Sequence, residues 1–319
     1  MKDAYIKLRP ACDFAGVLSA DASIGVVNGR FEAFNKNLMA SIPVEGVDDF
    51  AVAAVDFDFA MRKHDELKAW RITDANVILD GKTRVKRTPE RTALKRPDIK
   101  TKPIPNLKDF LDALDDVLPF TMGDKARAWS EGARFDGTKI TATNSVVLLQ
   151  AELAQHCGLS GVTISRSAIA YMSQRRAELE AWGMSERGLM LEFTDGSWAL
   201  AARMSMEMPD AAVTMVDNLD YSDLPELDIE DAGRILHTIG WSDDIVTIFP
   251  DKVYAGRYST DHDEVVEIDL GEAEKAIFGA RALEAVILKA VRVGFNRFPN
   301  PVPFVTKRDS KGLIAGRSK

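Results

Sequence analysis

The chain has 319 residues, 46% of them hydrophobic and 28% charged, and its formal net charge at pH 7 is −8. This composition is that of a globular protein and excludes disordered and collagen-like chains. No apolar run reaches about 18 residues, which excludes a membrane-spanning helix, and the net negative charge argues against indiscriminate attraction to nucleic acid.

The first third of the chain alternates between helical and strand periodicity. Its two turns, Asn28-Gly29 and Asp80-Gly81, are the dipeptides that favour the tips of hairpins. The predicted elements are, in order, a strand at 1–9, a helix at 11–22, strands at 30–37 and 38–45, a helix at 56–68 and a hairpin at 75–87.

The middle third opens with the clearest helix, in which Phe110, Leu111, Leu114 and Val117 recur at three- and four-residue steps behind the expected cap Asn106. Asp136-Gly137 and Asp195-Gly196 predict two hairpin tips. The predicted elements are a helix at 106–120, a hairpin at 127–153, a helix at 165–182 ended by Gly183, a hairpin at 189–204, and a link at 207–228 that continues the sheet.

The last third follows the same order. In its second helix, Arg281 and Arg292 are eleven residues apart, which places them on the side opposite the apolar stripe. The predicted elements are a helix at 228–240, strands at 244–249, 252–259 and 263–270, a helix at 280–293, and strands at 301–307 and 312–317.

The three thirds therefore share the order helix, hairpin, helix, hairpin, which indicates an internal repeat. Ala33, Ala142 and Ala255 follow the first turn of each copy at nearly constant spacing. The chain is too long for one ordinary core, so we expect three domains, at 1–97, 104–210 and 211–319, with a basic, proline-rich linker between the first two.

Charge is unevenly distributed along the chain. Nine Lys or Arg residues face two acids between Lys82 and Lys102, whereas nineteen acids face three bases between Glu207 and Glu274. Such segregation suits a protein that holds a polyanion on one surface and repels it elsewhere, although solvated surface charge explains each run equally well on its own.

No catalytic or cofactor-binding motif is present, so we expect neither an enzyme nor a cofactor or metal. The acidic clusters 220–223 and 261–264 lack calcium-loop spacing. Cys12 and Cys157 predict neither a disulfide framework nor a zinc site. The first residues lack the apolar core of a signal peptide, so we expect a cytoplasmic protein.

Three local stretches, 127–149, 195–210 and 312–317, occur in the order and spacing of a known family. With the repeat, they make the chain resemble the sliding clamps, specifically the three-domain beta clamp of bacterial DNA polymerase III and its phage relatives. The resemblance implies an α+β fold of three tandem DNA-clamp domains, each with two helices on an inner face and antiparallel sheets outside. Neighbouring domains join edge to edge, and two chains close into a ring, a homodimer in preference to a trimer.

The resemblance also implies partners. Double-stranded DNA would pass through the ring, held by its backbone, and short peptides of the DNA polymerase and clamp loader would bind a pocket near the C-terminus. The candidate DNA-binding residues are Arg62, Lys63, Arg71, Arg166, Arg175, Arg176, Arg234, Arg281 and Arg292. The candidate pocket residues are Thr143, Val146, Val147, Leu148, Pro225, Leu227, Ile314 and Arg317.

The chain departs from the family at Asn144-Ser145-Val146-Val147, where the family has Asp-Gly-His-Arg, and at Ser130, where an apolar pocket residue is common. It is also shorter than most bacterial clamps, which suggests a phage source. Two alternatives stay open at this point. One is a clamp-fold adaptor that binds replication proteins without encircling DNA, and the other is a metal-dependent hydrolase built around Asp261 and Asp263.

Overall fold

The computed structural model describes residues 1–14, 23–35, 37–64, 67, 69–89, 91–121, 127–204, 206–242, 244–256, 265–271, 273 and 275–317. Within these residues, no helix is both long and apolar enough to span a membrane. The acidic cluster 261–264 lies outside them.

The first third begins with a helix in which Tyr5 and Leu8 are buried. The prediction of a strand at 1–9 is wrong, because two buried residues three positions apart form one face of a helix. The predicted helix at 11–22 is not found at residues 12–14, and 15–22 lie outside the described residues. The elements are α1 Lys2–Leu8, β1 Ser23–Val27, β2 Arg30–Phe34, β3 Leu38–Pro43, β4 Phe50–Ala53, α2 Ala54–Arg62, β5 Trp70–Ile72, β6 Asn76–Leu79 and β7 Thr83–Lys86.

The middle third contains the predicted helix and both hairpins. Asn106 occupies the N-cap position of its helix, but its side chain makes no capping hydrogen bond. The elements are β8 Lys102–Pro103, α3 Leu107–Val117, β9 Gly132–Asp136, β10 Lys139–Thr143, β11 Val147–Glu152, β12 Ser160–Ser165, α4 Arg166–Gln174, β13 Leu179–Ser185, β14 Gly188–Phe193 and β15 Trp198–Ala202.

The helix predicted at 165–182 is too long, because α4 ends at Gln174 and Leu179 and Trp182 belong to β13. Gly183 does not end a helix. It lies within β13, where a Cβ atom would come within 2.2 Å of the Lys100 carbonyl oxygen. The glycine is needed there because another backbone segment lies so close to it.

The last third adds one helix that the sequence did not predict. Residues 210–217 form a helix with Val213 and Val216 buried, so the prediction that 207–228 continues the sheet is wrong. The elements are α5 Asp210–Asp217, α6 Ile229–Gly240, β16 Ile245–Ile248, β17 Lys252–Ala255, β18 Val265–Glu267, β19 Ala276–Gly279, α7 Ala280–Ile287, β20 Ala290–Val293, β21 Val302–Thr306 and β22 Lys311–Ile314.

The end of the last predicted helix is also wrong. The helix expected at 280–293 stops at Ile287, and Ala290–Val293 is a strand that pairs with β21. By contrast, α6 begins as expected, with the Asp228 carboxylate accepting a hydrogen bond from the Glu230 amide at 2.7 Å.

Among the described residues, the order helix, four strands, helix, three strands occurs three times. The repeats are α1 to β7, α3 to β15 and α6 to β22. The predicted internal repeat is therefore confirmed in its order of elements. Each repeat therefore contains a set of four strands between its two helices and a set of three strands after the second helix.

The chain divides into two compact units. The first contains Met1–Ile104 and Ser167–Arg203, and the second contains Pro105–Arg166 and Met204–Lys319. The boundary between them therefore passes through the middle repeat, at the start of α4.

The first unit contains an eight-stranded sheet and a three-stranded sheet. The larger sheet has the order β4-β1-β2-β3-β15-β14-β13-β8, and the smaller has the order β5-β6-β7. The pair β3–β15, with Ser41 opposite Trp198, joins strands of the first and second repeats in one antiparallel sheet. The core of this unit is aromatic, and Phe57 of α2 packs edge-on against Tyr5 at 5.2 Å between ring centroids.

The second unit contains a seven-stranded sheet and a four-stranded sheet. Their orders are β12-β9-β10-β11-β22-β21-β20 and β18-β17-β16-β19. Here β11 pairs with β22, with Gln150 opposite Lys311, so the second and third repeats also share a sheet. Phe110 and Leu114 of α3 are buried against it.

Candidate functional site

The first candidate surface lies on α1 and α2. Arg62 is the last residue of α2, Lys63 follows it, and both side chains are exposed. The Lys63 ammonium lies 4.0 Å from the centroid of the Phe59 ring, which is itself 63% exposed. Arg71 is an exposed residue of β5.

The buried carboxylate of Asp58 orients Arg62 and a further base, Arg9. Asp58 accepts hydrogen bonds from the Tyr5 hydroxyl at 2.6 Å and from Arg9 Nε at 2.7 Å, and Arg62 lies 2.6 Å away. Burial raises the pKa of Asp58, but the hydrogen bonds from Arg9 and Tyr5 and the charge of Arg62 outweigh it, so the pKa is lowered. Asp58 is therefore ionised and holds both arginines at the surface.

The sequence did not identify Arg9 and Lys2 as candidates. Both line a cavity of about 420 Å³ together with Asp58 and Arg62. They were missed because residues 1–9 were predicted to be a strand. Two signals could have indicated the helix. Tyr5 and Leu8 have helical spacing, and Pro10 is of a type that favours the first turn of a helical segment, here the short turn that follows α1.

The middle repeat supplies Arg166 and Arg176 but not Arg175. Arg166 begins α4 and is half-buried, and Arg176 is exposed just after the helix. Arg175 is only 3% exposed. The assignment of Arg175 to DNA binding is therefore wrong, because a guanidinium enclosed in protein cannot reach a phosphate.

Hydrogen-bond acceptors and an aromatic ring surround the buried Arg175. Its nitrogens donate to Glu178 at 2.5 and 2.8 Å, to Asp195 at 2.8 Å and to the Ser197 hydroxyl at 2.6 Å. Its guanidinium carbon lies 3.8 Å from the centroid of the Phe193 ring. This residue stabilises the fold of the first unit.

In the last repeat, the candidate bases Arg281 and Arg234 differ in their surroundings. Arg281 is exposed on α7 and has no ion-pair partner among the residues that the structure describes. Arg234 of α6 lies 3.5 Å from Asp231 and 3.7 Å from Glu230, two acids of its own helix. Its charge is therefore partly balanced before any ligand binds.

Arg292 does not share a helix face with Arg281. It belongs to β20, which corrects the prediction that the two arginines point the same way from one helix. Its side chain lines a cavity of about 480 Å³ in the second unit, with Lys311 and Asp309 also at the wall. Arg292 therefore lies at this cavity, apart from the exposed face of α7 that carries Arg281.

This pocket is floored by an apolar cluster around Leu148. The buried members are Leu148, Val216, Tyr221, Leu224, Val305 and Leu313, and Leu219 packs against them. Leu219, Tyr221 and Val305 also line the cavity, so the cluster and the cavity form one site. Burial raises the pKa of the Tyr221 hydroxyl, so this residue of the lining stays neutral.

The other predicted pocket residues on β10 and β11 have different roles. Val147 is fully buried and pairs with Ile314, also fully buried, so both belong to the core. The Thr143 hydroxyl donates to the Val147 carbonyl at 2.7 Å and shapes the turn before β11. Val146 is 38% exposed at that turn.

None of the eight predicted pocket residues lines this cavity, although Leu148 belongs to the cluster that adjoins it. Pro225 and Leu227 line a second cavity of about 470 Å³, whose wall includes Asp223, Glu226 and Asp269. Arg317 is exposed and lies 3.0 Å from Asp244. Leu219, Tyr221 and Leu224, which precede Pro225 in the chain, belong to the apolar cluster instead.

Among the described residues, no group of three or more His, Cys, Asp or Glu side chains could hold an ion. The two cysteines are buried and free.

No protein-family profile and no curated protein sequence matches the chain. Solved structures match its whole length. The polymerase III beta subunit of Caulobacter crescentus has a TM-score of 0.74 at 14% identity, with 100% of this chain and 97% of that chain covered.

Two further structures give the same result with the same coverage of 100% and 97%. The beta clamp of Helicobacter pylori, bound to a DNA ligase peptide, has a TM-score of 0.71 at 13% identity. The DnaN sliding clamp of Bartonella birtlesii, bound to griselimycin, has a TM-score of 0.74 at 13% identity. The chain therefore has the fold of a sliding clamp. More specifically, its fold is that of the beta subunit of bacterial DNA polymerase III, as the resemblance implied.

Proposed function

We propose that this protein is a DNA polymerase processivity factor, a clamp that encircles duplex DNA and tethers replication proteins to it. The observation that carries the proposal is the match in fold over the whole chain to bacterial beta clamps. The proposed domains are 1–97, 104–210 and 211–319, and two chains would close into a ring of six. The shared sheets at β3–β15 and β11–β22 support edge-to-edge joining.

The proposed inner surface consists of exposed and half-buried bases on or beside helices of all three repeats. It comprises Lys2, Arg9, Arg62, Lys63, Arg166, Arg176, Arg234 and Arg281, with Arg71 as a loop-side contributor. Contacts of this kind neutralise phosphates without reading bases, so they permit movement along the duplex. Pairing of Arg62 with Asp58 and of Arg234 with Glu230 keeps each contact weak.

The cavity over Leu148 is the proposed site for partner peptides, from the polymerase and the clamp loader. The beta clamp of Helicobacter pylori holds a DNA ligase peptide, which supports peptide binding by this fold. An apolar side chain seated against Leu219, Tyr221 and Val305 would contribute about 2 kcal/mol. Arg292 and Lys311 at the wall favour a peptide that carries a carboxylate beside its apolar anchor.

The test is retention on DNA of different topology. A clamp loaded onto nicked circular DNA should stay bound through gel filtration and should be lost after the circle is cut, because a ring slides off free ends. Two matched controls should both retain the protein. One is the circle left uncut, and the other is a linear duplex with a bound protein blocking each end. Equal retention on free-ended linear and circular DNA would contradict encirclement.

A further inference from the structure

The helix α5 covers part of one face of the seven-stranded sheet in the second unit. Neighbouring residues of a strand point to opposite faces of a sheet, and β9 shows which face carries which helix. Phe135 contacts the Phe110 ring of α3, whereas Arg134, one residue earlier, pairs with Asp210 of α5. The two helices therefore lie on opposite faces, and α5 packs against β11 and β22 on its own face.

Two valines of α5 are seated on this face. Val213 is 9% exposed and Val216 is fully buried, and their spacing of three residues puts them on one side of the helix. Val216 belongs to the apolar cluster that contains Leu148 and Leu313. Leu148, which the resemblance assigns to a partner pocket, is only 4% exposed because residues of its own chain cover it.

A base of the sheet meets an acid at each end of α5. The Asp210 carboxylate lies 2.6 Å from Arg134 of β9, and the Asp217 carboxylate lies 2.7 Å from Lys139 of β10. The two aspartate side chains are 85% and 43% exposed, so solvent screens both ion pairs and each contributes little. The groove beneath α5 thus has an apolar floor and a positive charge at both ends.

The polar contact beneath α5 is weak as well. Gln150 of β11 is 1% exposed, and its amide nitrogen is 3.5 Å from the Val213 carbonyl oxygen and 3.4 Å from the Thr141 hydroxyl. Both distances exceed the ordinary range for hydrogen bonds of this kind. A helix of eight residues is marginal on its own, so α5 depends on its two valines and on contacts that are individually weak.

Buried residues anchor the chain on both sides of α5. Before the helix, Met208 is 1% exposed, and its carbonyl oxygen accepts a hydrogen bond from Arg134 at 2.7 Å. After the helix, Tyr221 and Leu224 are 9% and 6% exposed within the apolar cluster. Segment 209–220 can therefore leave the sheet while the residues on either side of it keep their contacts.

We propose that the groove beneath α5 is a partner-binding surface and that α5 occupies it in the free protein. The partner is a short helical segment with the chemistry of α5, which has two aliphatic side chains three residues apart and a carboxylate at each end. Such a segment seats its aliphatic pair over Leu148 and places its carboxylates on Arg134 and Lys139. This inference rests on the proposed peptide binding and adds that α5 must leave before the partner binds.

The test uses a labelled peptide of residues 209–218, which is α5 with one flanking residue at each end. Fluorescence anisotropy measures its affinity for the natural protein and for an open variant that carries Val213→Asp and Val216→Asp. The peptide should bind the open variant at least tenfold more tightly, because an occupied groove lowers the apparent affinity. The same peptide with both valines changed to aspartate should bind neither protein.

A second variant keeps the buried valines and loosens only the ends of the helix. This end-charge variant, Asp210→Lys with Asp217→Lys, should bind the peptide at least threefold more tightly than the natural protein does. The control, Thr214→Lys with Met215→Lys, changes the exposed side of α5 and should leave the affinity unchanged. Hydrogen exchange should show that α5 loses protection in both loosened variants while β10 and β11 keep theirs.

The opposite change fixes α5 in place. Lys139→Cys with Asp217→Cys puts two thiols at one end of the groove, where a short bismaleimide joins them, and both natural cysteines are buried. The affinity for the peptide should fall at least tenfold on crosslinking. The control is the same variant treated with N-ethylmaleimide, which modifies both thiols without joining them.

Equal affinities of the peptide for the natural protein, both loosened variants and the crosslinked form would overturn the proposal, as would the absence of binding to every form. If the open variant does not fold, the end-charge variant and the crosslink decide the question. Failure of the proposed function gives a different pattern. If the α5 peptide behaves as expected but peptides of the polymerase and clamp loader bind no form, the groove stands and those partners are wrong. If those peptides bind the natural and the crosslinked protein equally well, they bind elsewhere and the role of α5 is wrong.

Discussion

Replacement of Arg175 by alanine separates a structural arginine from a DNA-binding one. The side chain is 1% exposed and bridges Glu178, Asp195 and Ser197 in the first unit. Removing one partner of a buried ion pair costs about 3–5 kcal/mol. The two carboxylates are 29% and 27% exposed and keep Lys7 as a partner, so we expect the lower end, about 3 kcal/mol.

The matched control is Arg176→Ala, the same change one residue along the chain. Arg176 is exposed, and surface ion pairs contribute about 0–1 kcal/mol. The free energy of unfolding is measured by urea titration, and hydrogen exchange of β14 and β15 reports where the loss occurs. Protection of these strands should fall in Arg175→Ala and stay unchanged in Arg176→Ala.

The result that refutes this reasoning is equally specific. If Arg175→Ala were as stable as Arg176→Ala but bound DNA more weakly, the guanidinium would have to reach DNA, and its burial in the first unit would be wrong. A loss of about 3 kcal/mol with no change in DNA affinity beyond that of the control supports the structural role.

Three further predictions concern acid stability, DNA and peptides. Burial raises the pKa of Asp195, but hydrogen bonds from Lys7 and Ser197 and the charge of Arg175 lower it well below its ordinary value. Its stabilisation is therefore present above the unfolded pKa of about 4 and is lost as the pH falls further, and Asp195→Asn should flatten that part of the stability profile. Arg281→Ala should reduce the slope of log affinity for DNA against log salt by about 1, whereas Arg292→Ala should leave that slope unchanged. Leu219→Asp should weaken peptide binding at least tenfold in calorimetry while the oligomeric mass stays the same.

Hairpin tips were the part of the fold that the sequence predicted best. Gly81, Gly137 and Gly196 have φ angles of +69°, +71° and +75°, a region that glycine enters without steric cost. The chemistry of these turns is local, so two or three residues determine it. The order of elements in each repeat follows from such turns and from the stripe of α3.

Helix ends were predicted poorly, because tertiary pairing decides them. Residues 288–293 continue the helical pattern of α7, yet Ala290–Val293 forms a strand against β21. Leu179–Ser185 behaves in the same way against β14. In both segments the apolar residues fit a helix stripe and a strand face, and only the neighbouring strand distinguishes them.

The residues of the pocket were predicted only in part. Leu148 was predicted from the resemblance, and the structure places it in the apolar cluster. Leu219 and Leu224 were missed because they lie in an irregular link, where no periodicity marks a buried face. Arg292 was grouped with Arg281 because the helix was predicted to run to residue 293, six residues beyond its end at Ile287.

The shared sheets determine which fragments of this chain can be produced as stable monomers. The middle repeat contributes β11 to one sheet and β15 to the other, and each strand has its outer neighbour in a different repeat. In an excised fragment of residues 104–210, β11 and β15 would therefore each have an unpaired strand edge. Copies of the fragment should pair through these edges and form open-ended polymers. The smallest fragment that stays monomeric is therefore larger than one repeat.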